Sequence, residues 1–386
     1  MRPRRITIGV VLAALLILAA YVFTGSPLRV PAGQADQSSQ MSSGAYAYLS
    51  SAALAALPVK LTATPEIKPT GQVREFQLVA KKAPWELAPG KTVEAITYNG
   101  TVPGPTIRVT EGDTVRVTLK NELDQDTTIH WHGLHVPNTM DGVPPFTQAP
   151  IRPGETFTYE FIASHAGTFM YHPHINSVEQ IDNGLYGLLI IDPQRPDQPK
   201  FDKEFTMLLG AWNLPNGQNT PAGGQHQMPG GQTMPGAQMG RMNMNYNWFT
   251  INGKAFPATP EWVVKQGDVV RVRIVNISNL AHPMHLHGHD FKVVAKDGEP
   301  LSPERQQTMN TLSVDAGETY DIVFLANNPG TWVFHCHELH HTENDGIEPG
   351  GLIQVIRYEG SQAPAIGPAS PVATPTMPAN MPGTRH

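Results

Sequence analysis

The chain has 386 residues, which is enough for two domains of ordinary size with additional tails. Charged residues make up only 16% of it and the net charge is -6, so the composition gives no reason to expect a nucleic-acid partner. Glycine (35) and proline (36) are both abundant, as is typical of a β protein with many turns.

The N-terminus has the features of an export segment. Arg2, Arg4 and Arg5 precede an apolar run from Ile6 to about Phe23. This run is longer than most signal-peptide cores (about 7–15 residues) and close to the roughly 20 residues of a membrane span. We therefore predict a signal peptide or membrane anchor over residues 1–25, then a flexible tether over 26–65. The rest of the chain would be periplasmic, extracellular or at the cell surface, and a retained anchor would tether it to the membrane.

From Val73 onward, apolar and polar residues alternate in short runs, which predicts half-buried strands. The second half repeats the first. The segment Gly112–Val117 (GDTVRV) returns 155 residues later as GDVVRV, and a histidine follows 18 residues after each glycine, at His130 and His285. This repeat predicts a duplicated β domain, with copies over 66–195 and 203–358. Residues 216–245 would form a Met-rich insert in the second copy, and residues 359–386 a disordered tail.

Ten of the 16 histidines fall into four clusters. The clusters are His130-Trp-His132, His172-Pro-His174, His282-Pro-Met-His285-Leu-His287, and His335-Cys336-His337 with His341 just beyond. On a strand, residues i and i+2 point to the same face, so each H-x-H pair projects two imidazoles together. Four such pairs could surround one cavity with eight imidazoles. Imidazole suits copper, zinc, nickel and iron, so the histidines alone do not name the metal.

Cys336 is the only cysteine, so it cannot form an intramolecular disulfide. It lies between His335 and His337 and therefore faces the opposite side of its strand. There it can join His282 and His341. Two imidazoles and a thiolate with a weak or missing axial ligand form the blue-copper arrangement.

The four clusters resemble the copper-binding motifs of multicopper oxidases over about residues 66–358. They are most similar to the two-domain, laccase-like branch with its blue copper in the second domain. This resemblance implies an all-β fold of two cupredoxin-like Greek-key β-sandwich domains in tandem. It also implies four coppers per functional unit: one type 1, one type 2 and a type 3 pair.

The resemblance assigns each ligand by its place in a motif. The type 1 copper would be bound by His282, Cys336 and His341, and the type 2 copper by His130 and His285. The type 3 pair would be bound by the six remaining cluster histidines: His132, His172, His174, His287, His335 and His337. Asp141 matches a family acid that delivers protons near the cluster, although a turn residue before Gly142 would look the same.

One position departs from the family pattern. Relatives with an axial methionine carry it five residues after the second type 1 histidine, and here that position is Gly346. Ile347 or Leu352 would cap the copper without binding it, and we expect the missing thioether to raise the type 1 potential.

The implied reaction is one-electron oxidation of a reducing substrate, coupled to four-electron reduction of O2 to water. Cys336 would carry electrons between the two sites. The substrate stays open between a phenol or aromatic amine and a metal ion, Cu(I) or Fe(II). Soft thioethers favour Cu(I), and five methionines of the insert are candidate Cu(I) ligands. They are Met228, Met234, Met239, Met242 and Met244.

Two other functions are compatible with parts of the pattern. One is a copper-binding resistance protein with minor or absent cuprous oxidase activity. The other, copper nitrite reductase, is disfavoured because the first domain has no cysteine for a blue site. In two-domain relatives the domains of neighbouring chains meet, so the resemblance also implies a homotrimer.

Overall fold

A computed structural model of the chain describes residues 68–195, 200–214 and 246–362. The predicted export segment, the tether, the five methionines of the insert and most of the predicted tail lie outside these ranges. Among the described residues, no helix has both the length and the apolar character needed to cross a membrane.

The first domain consists of two four-stranded sheets. One has the order β2-β1-β4-β6 and the other β3-β8-β7-β5. Its elements are β1 (Val73–Ala88), β2 (Lys91–Tyr98), β3 (Gly104–Thr110), β4 (Thr114–Asn121), β5 (His130–His132), a 3-10 turn (Asn138–Met140), β6 (Thr156–Ile162), β7 (Gly167–His172), helix α1 (Ser177–Asp182) and β8 (Gly187–Asp192).

The second domain has a seven-stranded and a five-stranded sheet. The first has the order β10-β9-β12-β18-β14-β15 with β16 beside β14, and the second β11-β20-β19-β13-β17. Its elements are β9 (Lys203–Trp212), β10 (Trp248–Ile251), β11 (Trp262–Val264), β12 (Val269–Asn276), β13 (His282–Leu286), β14 (Phe291–Lys296), β15 (Glu299–Pro300), β16 (Thr308–Met309), β17 (Thr311–Val314), β18 (Thr319–Leu325), β19 (Thr331–Cys336), a 3-10 turn (Leu339–Thr342) and β20 (Ile353–Tyr358).

The duplication read from the sequence is visible in the strand pairing. Strand β1 runs parallel to β4 in the first domain, and β9 runs parallel to β12 in the second. Likewise β3 is parallel to β8, and β11 to β20. The all-β prediction is therefore confirmed, with α1 as the single short α-helix of the described residues.

The burial of side chains along each strand shows which of its faces are covered. In β4 the residues Val115, Val117 and Leu119 are fully buried, while the polar residues between them are partly exposed. Strand β12 is buried along nearly its whole length, including Arg271 and Arg273. A continuous buried run indicates a strand covered on both faces, here by the second core on one side and the first domain on the other.

A buried polar network joins the two domains beside the histidine-bearing strand β7. The Thr168 hydroxyl donates to an Asp321 carboxylate oxygen at 2.6 Å, and Arg273 donates both to the Thr168 oxygen (2.6 Å) and to Asp321 (3.0 Å). The Thr319 hydroxyl donates to the Thr168 carbonyl at 2.9 Å. These hydrogen bonds connect side chains of both domains, so the network fixes β7 against β12 and β18.

Candidate metal centre

The predicted type 1 set comes together in the core of the second domain. His282 begins β13, Cys336 ends β19, and His341 lies in the 3-10 turn that follows. The Cys336 Sγ is 3.8 Å from the His282 Nδ1 and 3.5 Å from the His341 Nδ1, and the two Nδ1 atoms are 3.0 Å apart. Two nitrogens and one sulfur therefore converge on one point, a donor set that fits a blue copper.

Burial sets the protonation of this group in the absence of metal. It lowers the pKa of His282 to about 3 and that of His341 to about 2, so both rings are neutral and offer a lone pair. Burial also raises the pKa of the Cys336 thiol to about 12. Metal binding must therefore displace the thiol proton, as is general for thiolate ligands.

The shell around this site is apolar. The Phe249 ring packs on His341 with centroids 4.1 Å apart. Leu352 is fully buried in the same cluster as Cys336, and its backbone bonds to both Cys336 (3.1 Å) and His341 (2.9 Å). Ile347 is 40% exposed. Of the two candidate capping residues, Leu352 is the one that lies in the site's buried shell.

The first domain gathers four of the cluster histidines into a quartet. His130 and His132 come from β5, and His172 and His174 come from the end of β7 and just beyond it. The His130 ring lies 5.7 Å from His132, 5.3 Å from His172 and 5.3 Å from His174, measured between centroids. The His132 Nδ1 is 3.2 Å from the His172 Nε2, and burial lowers the pKa of His172 to about 3.

The second domain gathers a matching quartet from β13 and β19. The His285 ring lies 4.9 Å from His287, 5.9 Å from His335 and 5.8 Å from His337. The His287 Nε2 is 3.0 Å from the His335 Nε2. The register explains the contact, since β13 pairs with β19 so that His285 stands opposite His335.

Backbone carbonyls fix the orientation of several quartet rings. The Nδ1 of His130 bonds the Asp141 carbonyl (2.8 Å), that of His172 the Pro173 carbonyl (3.0 Å), and that of His335 the Cys336 carbonyl (2.8 Å). A carbonyl only accepts, so each Nδ1 carries the proton and each Nε2 carries the lone pair. The rings are thereby set for metal binding through Nε2.

Cys336 connects the two sites. Its side chain faces the buried type 1 set, whereas those of its neighbours His335 and His337 face the second quartet. The predicted electron path is therefore only a few covalent bonds long.

The two quartets remain separate within one chain. Among the described residues, no histidine ring of the first quartet contacts one of the second. Each quartet offers four of the eight imidazoles predicted for the trinuclear cluster.

Asp141 lies beside His130, where the motif predicted an acid. Its carboxylate Oδ1 is 3.3 Å from the His130 Nδ1, and its backbone carbonyl is the 2.8 Å acceptor described above. Asp141 also ends the 3-10 turn before Gly142, whose φ is +78°. A side chain at position 142 would place its Cβ 1.8 Å from the Ile129 carbonyl oxygen, so the tight turn requires glycine. Asp141 therefore occupies the turn position and also lies beside His130, and its role in proton delivery stays a prediction.

The sequence analysis did not predict the residues that orient the metal-ligating histidines. Ser278 contacts the remote nitrogen of His282 at 2.7 Å, and Asn276 anchors that loop. His289 bonds the His287 carbonyl through Nδ1 (3.0 Å) and the Tyr358 hydroxyl through Nε2 (2.6 Å). The only available signal was the repeat, since Asn276 corresponds to Asn121 of the first copy.

Comparison with known proteins agrees with this geometry. Two family models described as multicopper oxidase match residues 79–196 and 230–346, more than half of the chain. The chain belongs to the multicopper oxidase family, whose members use copper at type 1, type 2 and type 3 sites.

Solved structures give the same class. The multicopper oxidase mgLAC superimposes with a TM-score of 0.66 and 37% identity, over 76% of this chain and 88% of that one. The blue copper oxidase from Nitrosomonas europaea superimposes with a TM-score of 0.65 and 35% identity, over 75% and 86%. The cupredoxin-like prediction is therefore confirmed.

A longer relative shows the same class. Multicopper oxidase MmcO from Mycobacterium tuberculosis is 33% identical over 61% of this chain and 49% of its own length. The chain spans about half the length of the curated relatives that it matches first.

Proposed function

We propose that this protein is a laccase-like copper oxidase that couples one-electron oxidation of a reducing substrate to reduction of O2 to water. One observation carries the proposal: a buried two-histidine, one-cysteine set lies back to back with a histidine quartet, and Cys336 belongs to the strand that serves both. A copper carrier with a single metal site would need only the type 1 set and not the adjoining histidine quartet.

The ligand roles follow the motifs. His282, Cys336 and His341 hold the type 1 copper, and His130 and His285 the type 2 copper. The other six quartet histidines hold the type 3 pair. When bound, the coppers supply the redox chemistry and the protein a fixed, shielded cavity. Phe249 and Leu352 exclude water from the type 1 set, and the Asp141 side chain, beside His130, would pass protons to reduced oxygen.

Oxygen uptake by copper-loaded protein tests the activity. We expect O2 consumption with at least one of three donors: a phenol, Fe(II) or Cu(I). Cys336→Ser should abolish turnover while leaving copper at the quartets, because it removes only the thiolate. A protein that binds four coppers but consumes no O2 with any donor would instead be a copper-binding resistance protein.

The choice of substrate rests on the Met-rich insert. The chain enters the insert after Leu214 and returns at Tyr246, and Asn247 bonds the backbone of Leu214 at 2.9 and 3.3 Å. Phe249, two residues after Asn247, packs on His341, so the strand that follows the insert contacts the type 1 set. Thioethers at Met228, Met234, Met239, Met242 and Met244 would recruit Cu(I) for that site. Deleting residues 223–245 should lower Cu(I) oxidation and spare phenol oxidation, and equal loss of both would count against recruitment.

A homotrimer would complete the trinuclear cluster. The first quartet of one chain would meet the second quartet of its neighbour, a head-to-tail contact that closes a ring. This arrangement accounts for two half-sites that do not touch within one chain.

Mixing two inactive variants tests the trimer. His174→Ala disables the first quartet and His337→Ala the second, and both side chains are exposed, so folding should be preserved. Chains co-refolded at equal amounts should recover about a quarter of the activity, because a random head-to-tail ring joins two intact quartets at about one interface in four. No recovery, or an active monomer, would overturn the arrangement.

Export is proposed from the N-terminal Arg residues and the apolar run after them. Fractionation of cells that express the full chain should place it outside the cytoplasm. The mass of the recovered protein would show whether residues 1–25 are removed or retained as an anchor.

A further inference from the structure

We propose that Ser278 is the positioning residue of the type 1 site. Its hydroxyl locks His282 in the tautomer that presents Nδ1 to copper. This inference rests on the proposed type 1 role of His282, Cys336 and His341.

The hydrogen-bond directions follow from the partners of Asn276. The Asn276 Nδ2 donates to the carbonyls of Leu280 (2.7 Å) and Val314 (2.9 Å), so its other amide atom is the acceptor Oδ1. That Oδ1 lies 2.8 Å from the Ser278 Oγ and also accepts from the Ser278 backbone N–H at 3.0 Å. The Ser278 hydroxyl proton therefore points to Asn276, with the Leu280 carbonyl at 3.1 Å as a second acceptor.

The Ser278 Oγ also accepts from the Leu280 backbone N–H at 3.2 Å, and its last contact is with His282. The Ser278 Oγ lies 2.7 Å from the His282 Nε2, and both residues are buried. Because the hydroxyl proton is already directed to acceptors, the oxygen must accept here and the imidazole must donate. His282 is thus protonated at Nε2, and its Nδ1 lone pair faces Cys336 and His341.

The corresponding loop of the first domain has the same asparagine but lacks the serine hydroxyl. Asn121 corresponds to Asn276, and its Nδ2 likewise donates to the Gln125 (2.9 Å) and Ile151 (2.8 Å) carbonyls. Its Oδ1 accepts from the Leu123 N–H at 2.9 Å, as Asn276 does from Ser278. The first copy has leucine at the serine position and Thr127 at the His282 position, and no cysteine. The asparagine therefore shapes the loop in both copies, and the serine occurs in the copy that has a ligand to orient.

The rings of the two quartets are oriented by a different kind of hydrogen bond. His130, His172 and His335 are fixed at Nδ1 by backbone carbonyls and present Nε2. His282 has the reverse polarity, and a side-chain hydroxyl fixes it. A substitution can remove this bond selectively, whereas no substitution removes a carbonyl.

The test compares Ser278→Thr with Ser278→Val, which have the same shape and differ only in the hydroxyl. Type 1 copper is titrated by chelator competition and followed by its visible absorption band and electron paramagnetic resonance spectrum. We expect about 10–100-fold weaker type 1 binding for the Val variant, the usual effect of losing a hydrogen bond to a ligand, and near-normal binding for Thr. Ser313 is an exposed serine on β17, in the sheet that contains His282. Ser313→Ala should therefore leave the type 1 site unchanged.

Two results would count against different claims. If wild-type protein shows the type 1 band and the Val variant matches the Thr variant in affinity and spectrum, Ser278 does not position His282. If wild-type protein binds copper without any type 1 band, the type 1 site itself is wrong. The type 2 signal should be the same in all variants and reports that the fold is intact.

Discussion

His130 contacts Asp141 twice: its Nδ1 lies 2.8 Å from the Asp141 backbone carbonyl and 3.3 Å from a carboxylate oxygen. The carbonyl orients the ring, and the carboxyl group is the part of Asp141 to which we assign the proposed proton transfer. Orientation and proton transfer can therefore be separated by mutation.

Asp141→Asn should keep the backbone carbonyl and remove the ionisable carboxyl group. We expect normal copper content and a normal rate of type 1 reduction, with reoxidation by O2 slowed about 100-fold, as is typical when a general acid is lost. Stopped-flow recovery of the type 1 band after mixing reduced protein with O2 measures this. Unchanged reoxidation would leave Asp141 as a turn residue only.

Gly142→Ala should disturb the His130 ring through the backbone. Its Cβ would lie 1.8 Å from the Ile129 carbonyl oxygen and 2.9 Å from the His130 nitrogen, so β5 must move. We expect loss of the type 2 copper signal. Gly154→Ala is the matched control, because φ is +82° there but nothing lies within 4 Å of the added Cβ. It should cost only about 1–2 kcal/mol of left-handed backbone strain and retain copper. Equal copper loss in both variants would argue against the steric explanation.

Leu352→Met should lower the type 1 potential. Leu352 is fully buried against the site, and a thioether there could bind the copper and stabilise its oxidised state. Spectroelectrochemical titration of the visible band measures the shift. Ile347→Met, at a position 40% exposed, should leave the potential unchanged. A Leu352→Met protein with wild-type potential would show that position 352 does not cap the metal.

Asp182 should make stability depend on pH. Burial raises its pKa from 3.8 to about 6, against the opposing hydrogen bond from the Tyr246 hydroxyl. Between these two values the folded state holds the proton more tightly than the unfolded state, so stability falls as pH rises from about 4 to 6. We expect a fall of about 1 kcal/mol relative to Asp182→Asn, because solvent screens a partly exposed carboxylate.

Urea unfolding of both proteins across this pH range tests the sign. Asp124 serves as the opposite case, because its hydrogen bond with Lys82 lowers the pKa of that carboxyl. The Asp124 contribution is lost only as pH falls below the ordinary pKa of 3.8, so it should stay nearly constant from pH 4 to 6. A wild-type protein that gains stability relative to Asp182→Asn as pH rises from 4 to 6 would contradict the assignment.

The sequence by itself determined the fold class, the duplication and the metal-ligand types. Strand periodicity is local, so the H-x-H pairs had to project two rings to one face, and Cys336 had to face away from its neighbours. Four such motifs at repeated spacing strongly favoured a metal site over unrelated histidines.

Only the tertiary structure decided which atoms of those residues converge. Ring tautomers depend on how loop acceptors are placed, such as the Asp141 carbonyl for His130 and the Ser278 hydroxyl for His282, and strand periodicity does not specify that placement. Leu352 and Ile347 are both apolar and lie in the same loop, so their burial could not be read from the chain. The separation of the two quartets likewise follows from domain packing, because strand pattern fixes the face on which a side chain lies but not what that face meets.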